Sequence, residues 1–177
     1  ALEEAAGDLE AAVDILRKKG IAKAAKREDR ETTEGVIVAQ TLPNQTRGII
    51  VSVTCETDFV ARNEKFMAMV QKIADIAIES FPENGAALLA LPYEGNVSIG
   101  EKLAEQNGIV GEKITLGTYE AVTGAQVLPY NHSNGKLAVL VAINKRENLY
   151  EEAAKNVAMQ IAAMAPVSVS KDDVDPA

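Results

Sequence analysis

Cys55 and His132 are the chain's one cysteine and one histidine. A cysteine nucleophile needs a base beside it and a third group to orient that base. Neither residue sits in a local nucleophile signature and no third member is evident, so a cysteine hydrolase is set aside. A lone cysteine closes no internal disulfide and builds no zinc cage. A lone histidine removes His-rich metal sites. No GxxxxGK[ST] phosphate loop is present, so the chain itself is not expected to bind GTP. No paired carboxylates stand at a recognisable acid–base spacing. At a strand end, Cys55 reads as a small buried hydrophobe. His132, in an Asn/Ser/Gly turn, reads as a solvated residue. Met67, Met69, Met159 and Met164 fall on helices and read as core or subunit-interface filler.

The remaining segment of chemical interest is Thr57-Asp58-Phe59-Val60. Asp58 can brace a turn by accepting from nearby backbone N–H groups. Phe59 follows it, between a strand end and a helix start. Two readings stand. Phe59 folds back into the core, as most phenylalanines do, and composition alone favours this. Alternatively Asp58 holds the turn while Phe59 projects as an anchor for a partner's pocket.

The elements that must position this loop are legible from periodicity. Residues 1–6 read as the tail of a helix broken at Gly7. Asp8 is an N-cap, and Leu9, Ala12, Val13 and Leu16 recur on one helical face. Gly20, after three basic residues, reads as the end of that helix. Residues 21–33 form a polar, charged connector whose first residues are open to a helical reading. Gly35–Leu42 and Gly48–Cys55 are strand-like, with a turn at Pro43–Thr46, and a hairpin is the simplest topology. Asn63–Ser80 is amphipathic, with Phe66, Met69, Val70, Ile73, Ile76 and Ala77 on one face and Pro82 beyond its end. Residues 83–97 read as loop. Ser98 and Glu101 form a capping box for a helix over 99–107, closed by Asn107-Gly108. Glu112–Val122 alternates as a strand, and Ala125–Tyr130 extends it. Asn131–Gly135 is a turn, Lys136–Ile143 a strand, and about 147–164 a final helix stopped by Pro166. The polar end, SVSKDDVDPA, reads as unfinished.

Composition bounds the class. With 177 residues, 47% hydrophobic and 25% charged, the chain has ordinary globular composition. Aromatics are only 4%, so the core must be mostly Ala, Val, Ile and Leu. No run approaches the roughly 18 apolar residues of a membrane span. No leader pattern is visible, which points to a reducing compartment. The net charge of −8 argues against a general nucleic-acid binder. Charge is uneven: residues 17–30 carry seven basic side chains (Arg17, Lys18, Lys19, Lys23, Lys26, Arg27, Arg30) and two acids (Glu28, Asp29), a net of +5. The rest is at −13. The strip reads as a hinge, a docking strip or a solvated linker.

An internal echo points back to the loop. Phe66, Val70, Ile73 and Ala74 match Tyr150, Ala154, Val157 and Ala158 at a constant offset of 84 residues, whereas the Gly48 and Gly135 strands match at 87. The first strand–helix unit therefore holds three more residues between strand and helix, within CETDFVARN.

The string VTCETDFVARNEKF resembles the signature of the bacterial elongation factor Ts family, whose core motif is TDFV between a hairpin and a helix. AAGDLEAAVDIL with LRKKGIAKAAK is similar to the end of that family's ubiquitin-associated-type module and its basic exit. EGVIV, GIIVSV and TDFVARNE follow in family order. Val110-Gly111-Glu112-Lys113-Ile114 resembles an IGENI-type segment. Tyr130-Asn131-His132 with GKLAVLVAI resembles a YxH turn and strand, and NVAMQIAAMAP an IAMHIAA helix. The resemblance runs over nearly the whole chain.

The resemblance implies an α+β fold. A helical, ubiquitin-associated-like module truncated at its start ends at residue 20, and the connector runs over 21–33. A first core subdomain of antiparallel sheet with packed helices spans 34–124. A second, partly repeating it and incomplete, starts over 125–177. It implies a nucleotide-exchange factor for the GTPase elongation factor Tu, without covalent chemistry, cofactor or metal. The Phe59 wedge and Asp58 would act near the partner's Mg²⁺ and phosphate site, with Thr57 and Val60 shaping the loop. Val110, Gly111 and His132 would supply further contacts. Neither nucleic acid nor membrane is expected as a partner; a homodimer or a 2:2 complex stays open. The implied compartment is the bacterial cytoplasm, with an organelle matrix second. From another class, a scaffold protein with the same fold but no exchange activity remains the alternative.

Overall fold

The computed structural model describes residues 1–25, 27 and 29–174. Lys26 and Glu28 of the basic strip, and the last three residues of the polar end, lie outside the described residues. In chain order the elements are α1 (Leu9–Ala25), β1 (Glu34–Thr41), β2 (Arg47–Cys55), α2 (Asp58–Ala61), α3 (Glu64–Ser80), α4 (Gly85–Ala90), β3 (Pro92–Glu94), β4 (Val97–Ser98), α5 (Ile99–Val110), β5 (Thr115–Thr123), β6 (Gln126–Asn131), β7 (Ala138–Ile143) and α6 (Asn148–Met164). Helices and small antiparallel sheets mix in the expected α+β manner.

The alternation of β2 sets the core. β1, β2 and β5 form an antiparallel sheet with β2 central. Ile49, Val51, Val53 and Cys55 point to one face and are fully buried. Against them α3 lays Phe66, Met69, Val70, Ile73, Ala74, Ala77 and Ile78. Burying each large aliphatic side chain contributes about 1.5–3 kcal/mol. Asn63 caps α3, its side chain accepting from the Lys65 and Phe66 amides at 2.9 and 3.4 Å. The helix ends at Phe81, in the left-handed region at φ 48°.

On the opposite face, the β6–β7 hairpin sits over Gly48. A Cβ there would meet the Val127 side chain at 2.7 Å, so only glycine admits this approach. The hairpin also covers the free edge of β1. The Asn131 amide accepts from Ala39 N at 2.7 Å and donates to Ala39 O at 2.8 Å, in the manner of a strand residue. Ile37 N donates to Gly135 O at 2.9 Å. An exposed edge is thereby closed. α6 packs on β6 and β7.

Several sequence expectations are corrected. Residues 2–7 form turns rather than the tail of a helix. Asp8 caps as expected, accepting from Glu10 N and Ala11 N at 2.9 and 3.1 Å. The helix does not end at Gly20 but runs on to Ala25. Likewise α5 does not close at Asn107-Gly108; it continues to Val110, and Gly111 at φ 85° ends it. Both glycines serve a helix crossing instead: a Cβ on Gly108 would lie 2.6 Å from the Gly20 Cα. Small residues bring α1 onto α5, and Ala12 is buried while Leu9, Val13 and Leu16 of the expected core face are exposed. Residues 83–97 hold the short helix α4, which buries Leu88, and the β3–β4 pair. Residues 112–114 precede β5 rather than joining it, and β6 is no extension of β5: it pairs with β7. Of the four methionines only Met69 is in the core; Met67, Met159 and Met164 are exposed.

Gly108→Ala tests the crossing. In an unhindered helix this change stabilises by about 1 kcal/mol. Overlap with Gly20 costs about 1–3 kcal/mol. The α1 amides should therefore exchange faster while those of β2 and α3 keep their protection. Unchanged α1 exchange would show that the crossing does not hold the helix.

Candidate partner interface

The loop after β2 begins at a fixed point. Cys55 is fully buried, and its thiol donates to Thr57 O at 3.2 Å. Burial, reinforced by the negative charge of Glu112 and then Glu34, pushes that thiol up to about 11. It packs as an apolar group and is no nucleophile. His132 stands exposed in the β6–β7 turn, its Nδ1 2.9 Å from the Tyr130 hydroxyl.

Residues 58–61 make a single helical turn. One turn can offer only part of its circumference to the core. Ala61 is buried and Val60 packs against the core beside it. Phe59 is left outward, 84% exposed. Phe59 is thus no core residue, against the inward reading that composition favoured.

Asp58 does not brace this turn in the expected way. Its carboxylate pairs with Arg62 one turn on, at 3.3 Å on the surface. Bracing comes from Glu112, which the sequence pattern places at the start of a strand and in the IGENI-type segment, with no bracing role. One Glu112 oxygen accepts from Thr57 N at 3.0 Å, and the other from the Thr57 hydroxyl at 2.6 Å. The neighbouring pair reciprocates: Glu56 accepts from Lys113 N at 2.6 Å. Arg30 reaches Glu56 at 3.2 Å, and the Lys113 ammonium donates to Arg30 O at 2.9 Å. Arg27 donates to Asn107 O, at the end of α5, at 2.6 Å. Two residues of the basic strip therefore dock on the chain's own core. Buried Asn107 pins the same turn, exchanging hydrogen bonds with both the N–H and the carbonyl of Ile114.

These contacts bring the expected residues to one end of the main sheet. Thr57–Val60 and Val110–Gly111 are joined through Glu56, Glu112 and Lys113. Val110, at the end of α5, is 40% exposed, and Gly111 is exposed beside it. Across a groove of about 350 Å³, Asp58, Ala61 and Arg62 face Ser133–Lys136, the turn that follows His132. Lys136 pairs with Glu34 at 2.6 Å, both lining the groove. The surface presents one aromatic ring, a glycine turn and mixed charge. Among the described residues no group of three or more His, Cys, Asp or Glu side chains is placed to hold a metal ion. Among the described residues no helix is long and apolar enough to cross a membrane.

A family model described as "Elongation factor TS" matches residues 56–177, a span that opens on this loop. The chain belongs to the elongation factor Ts family. It is 44% identical over 175 residues to an elongation factor Ts of Christiangramia forsetii, covering 99% of this chain and 63% of that protein. A relative named elongation factor Ts in Flavobacterium psychrophilum is 43% identical, with 99% and 63% covered. Another, from Chloroherpeton thalassium, is 45% identical over 181 residues, with 98% and 62% covered. The chain thus spans about 63% of the length of such relatives.

Two measurements test this geometry. The Lys113 N–H, and then the Arg30 charge, hold the Glu56 carboxyl below its ordinary range. Their stabilisation is fully present above the unfolded-state value and is lost as pH falls through the lower folded-state value. The Lys113 amide shift should accordingly titrate below the usual carboxylate range, and Glu56→Gln should abolish the step. Alkylation of Cys55 at pH 8 should track global unfolding; rapid labelling of the native chain would refute its burial.

Proposed function

We propose that this chain acts as a guanine-nucleotide exchange factor on elongation factor Tu, promoting GDP release during translation elongation in the bacterial cytoplasm. Its wedge is the Thr57–Val60 loop, directed at the partner's Mg²⁺ and phosphate site. The observation that carries the reading is Phe59: a large apolar ring, 84% exposed, on a loop whose start is anchored to residues 112–113. Asp58 assists at the same site, and Val110, Gly111 and His132 widen the contact. Family membership supplies the partner.

The mechanism is differential binding. A GTPase of this type holds GDP through a phosphate cradle and Mg²⁺. A wedge that binds best to the distorted, nucleotide-poor partner weakens GDP by the same coupling factor. Burying one Phe contributes roughly 2 kcal/mol, and about 1.4 kcal/mol is tenfold in affinity. Phe59 alone thus supplies one to two orders of magnitude, and the surrounding contacts supply more. No bond is made or broken, so no base or nucleophile is required of this chain.

This reading also assigns the organisation. The ubiquitin-associated-like module expected to end at residue 20 extends with α1 to Ala25, and the rest of the stretch up to residue 33 is its exit. Residues 34–124 and 125–177 belong to two core subdomains. Gly124 separating β5 from the differently paired β6 supports the last boundary.

Release of a fluorescent GDP from elongation factor Tu tests the proposal. The chain should accelerate it, and Phe59→Ala should lower the acceleration about tenfold. Because the ring is exposed, the same change should shift stability by no more than about 0.5 kcal/mol. Binding without acceleration, unaltered in Phe59→Ala, would instead favour a scaffold.

A further inference from the structure

Thr57 opens the helical turn that carries Phe59, and a threonine there ordinarily turns its hydroxyl inward to accept from the next free backbone N–H groups. This one does not. Its side chain makes no capping bond. The hydroxyl is drawn instead to Glu112 at 2.6 Å, across 55 residues of sequence. Glu112 takes the Thr57 N–H as well, at 3.0 Å. The Thr57 carbonyl is held too, accepting from the Cys55 thiol at 3.2 Å and from Ala61 N at 3.2 Å. Every polar atom of Thr57 is therefore engaged, two of them by one carboxylate. Hydrogen bonds to an ionised acceptor are about twice as strong as neutral ones. Here they fix both the backbone entry and the side-chain rotamer of the residue from which Phe59 is launched. Glu112 directly follows Gly111, so the same carboxylate sets the spacing between the ring and the Val110–Gly111 turn.

We propose that Glu112 is the positioning residue of the Phe59 loop: by capturing Thr57 it holds the ring in its projecting arrangement and makes the loop and the Val110–Gly111 turn one rigid contact surface. The proposal rests on the reading of Phe59 as the partner's wedge. Glu112 itself need not touch the partner. Without it, the Thr57 hydroxyl is free to return to the local cap and the turn to rotate. Only a fraction of molecules then presents the ring correctly, and apparent affinity falls by that fraction.

The test combines a structural and a functional readout on the full chain. In Glu112→Ala, backbone amide relaxation and hydrogen exchange should show residues 57–60 loosened, with the resonances of β1, β2 and α3 in place. GDP release from elongation factor Tu should be accelerated about tenfold less at low factor concentration, with partial recovery at saturation. Glu112→Gln keeps one acceptor oxygen and should fall between the parent and Glu112→Ala. In a Phe59→Ala background, Glu112→Ala should add no more than about twofold, because the group it positions is gone. Order in residues 57–60 unchanged by Glu112→Ala, or losses that multiply in the double variant, would overturn the proposal. If Glu112→Ala loosens the loop while Phe59→Ala accelerates like the parent, the wedge reading fails and the ordering of the loop by Glu112 stands. If the parent chain accelerates nothing, the exchange reading and the functional half of the proposal fall together, and the amide data decide the remainder.

Discussion

The burial of alternate residues along β2 beneath α3 is the constraint from which the other positions follow. Ile49, Val51, Val53 and Cys55 lose all contact with solvent, so the strand can neither slip nor rotate. A one-residue slip would send the whole apolar set to the opposite face. That fixes where the strand ends, and the loop at Thr57 starts two residues beyond the last buried position. β5 pairs along the other side of β2 and ends its own approach at residues 112–114. The two segments that exchange hydrogen bonds, 56–57 and 112–113, are thus brought side by side by the register of a sheet whose core is elsewhere.

Placement by register alone leaves a loop free to move. The crossed pairs add what burial cannot. Glu56 with Lys113 N and Glu112 with Thr57 join acceptors and donors in both directions, so the two segments cannot slide past each other without breaking both. The groups are half-buried, which strengthens each bond relative to a fully wet one. Arg30 and Arg27 extend the same network to the connector. Their attachment explains why an acidic molecule keeps a basic strip: part of it neutralises Glu56 and a helix-end carbonyl within the chain.

Features governed by local rules were legible in the sequence. The β1–β2 hairpin, the Asp8 cap, the Ser98–Glu101 capping box and the outline of α3 follow from residues within a few positions of one another. Gly20 and Gly108 look like helix ends in the sequence because glycine has two uses, and only tertiary structure selects between a helix end and a close helix crossing. α4 escaped because GAALLA is six residues and shows no periodicity. β6 reads as an extension of β5 because both are strand-like, and the change of partner after Gly124 is set by tertiary pairing that the pattern does not carry. The sequence pattern directs attention to the loop at 57–60 but gives its brace to the adjacent Asp58. The actual brace, Glu112, is 55 residues away, and no local rule reaches that far.

An exposed phenylalanine is tolerable in the free chain only if it cannot find burial at home. Two features deny it that. The single turn of α2 gives its inward side to Val60 and Ala61, and the core cluster they join is already filled by buried side chains such as Cys55 and Phe66. A ring that folded inward would have to displace one of them from a core packed without room for it. The ring therefore stays outside at little cost in stability. Its apolar surface is then withheld from the chain's own folding and remains available to a partner. Rigidity matters for the same reason. A wedge that bends when it meets resistance transmits no strain, whereas one anchored to a buried strand and a distant helix end transfers the strain to what it touches. Under the proposed exchange function, the free energy of burying the ring would act against the bonds that hold the partner's nucleotide, which a flexible loop carrying the same residue could not do.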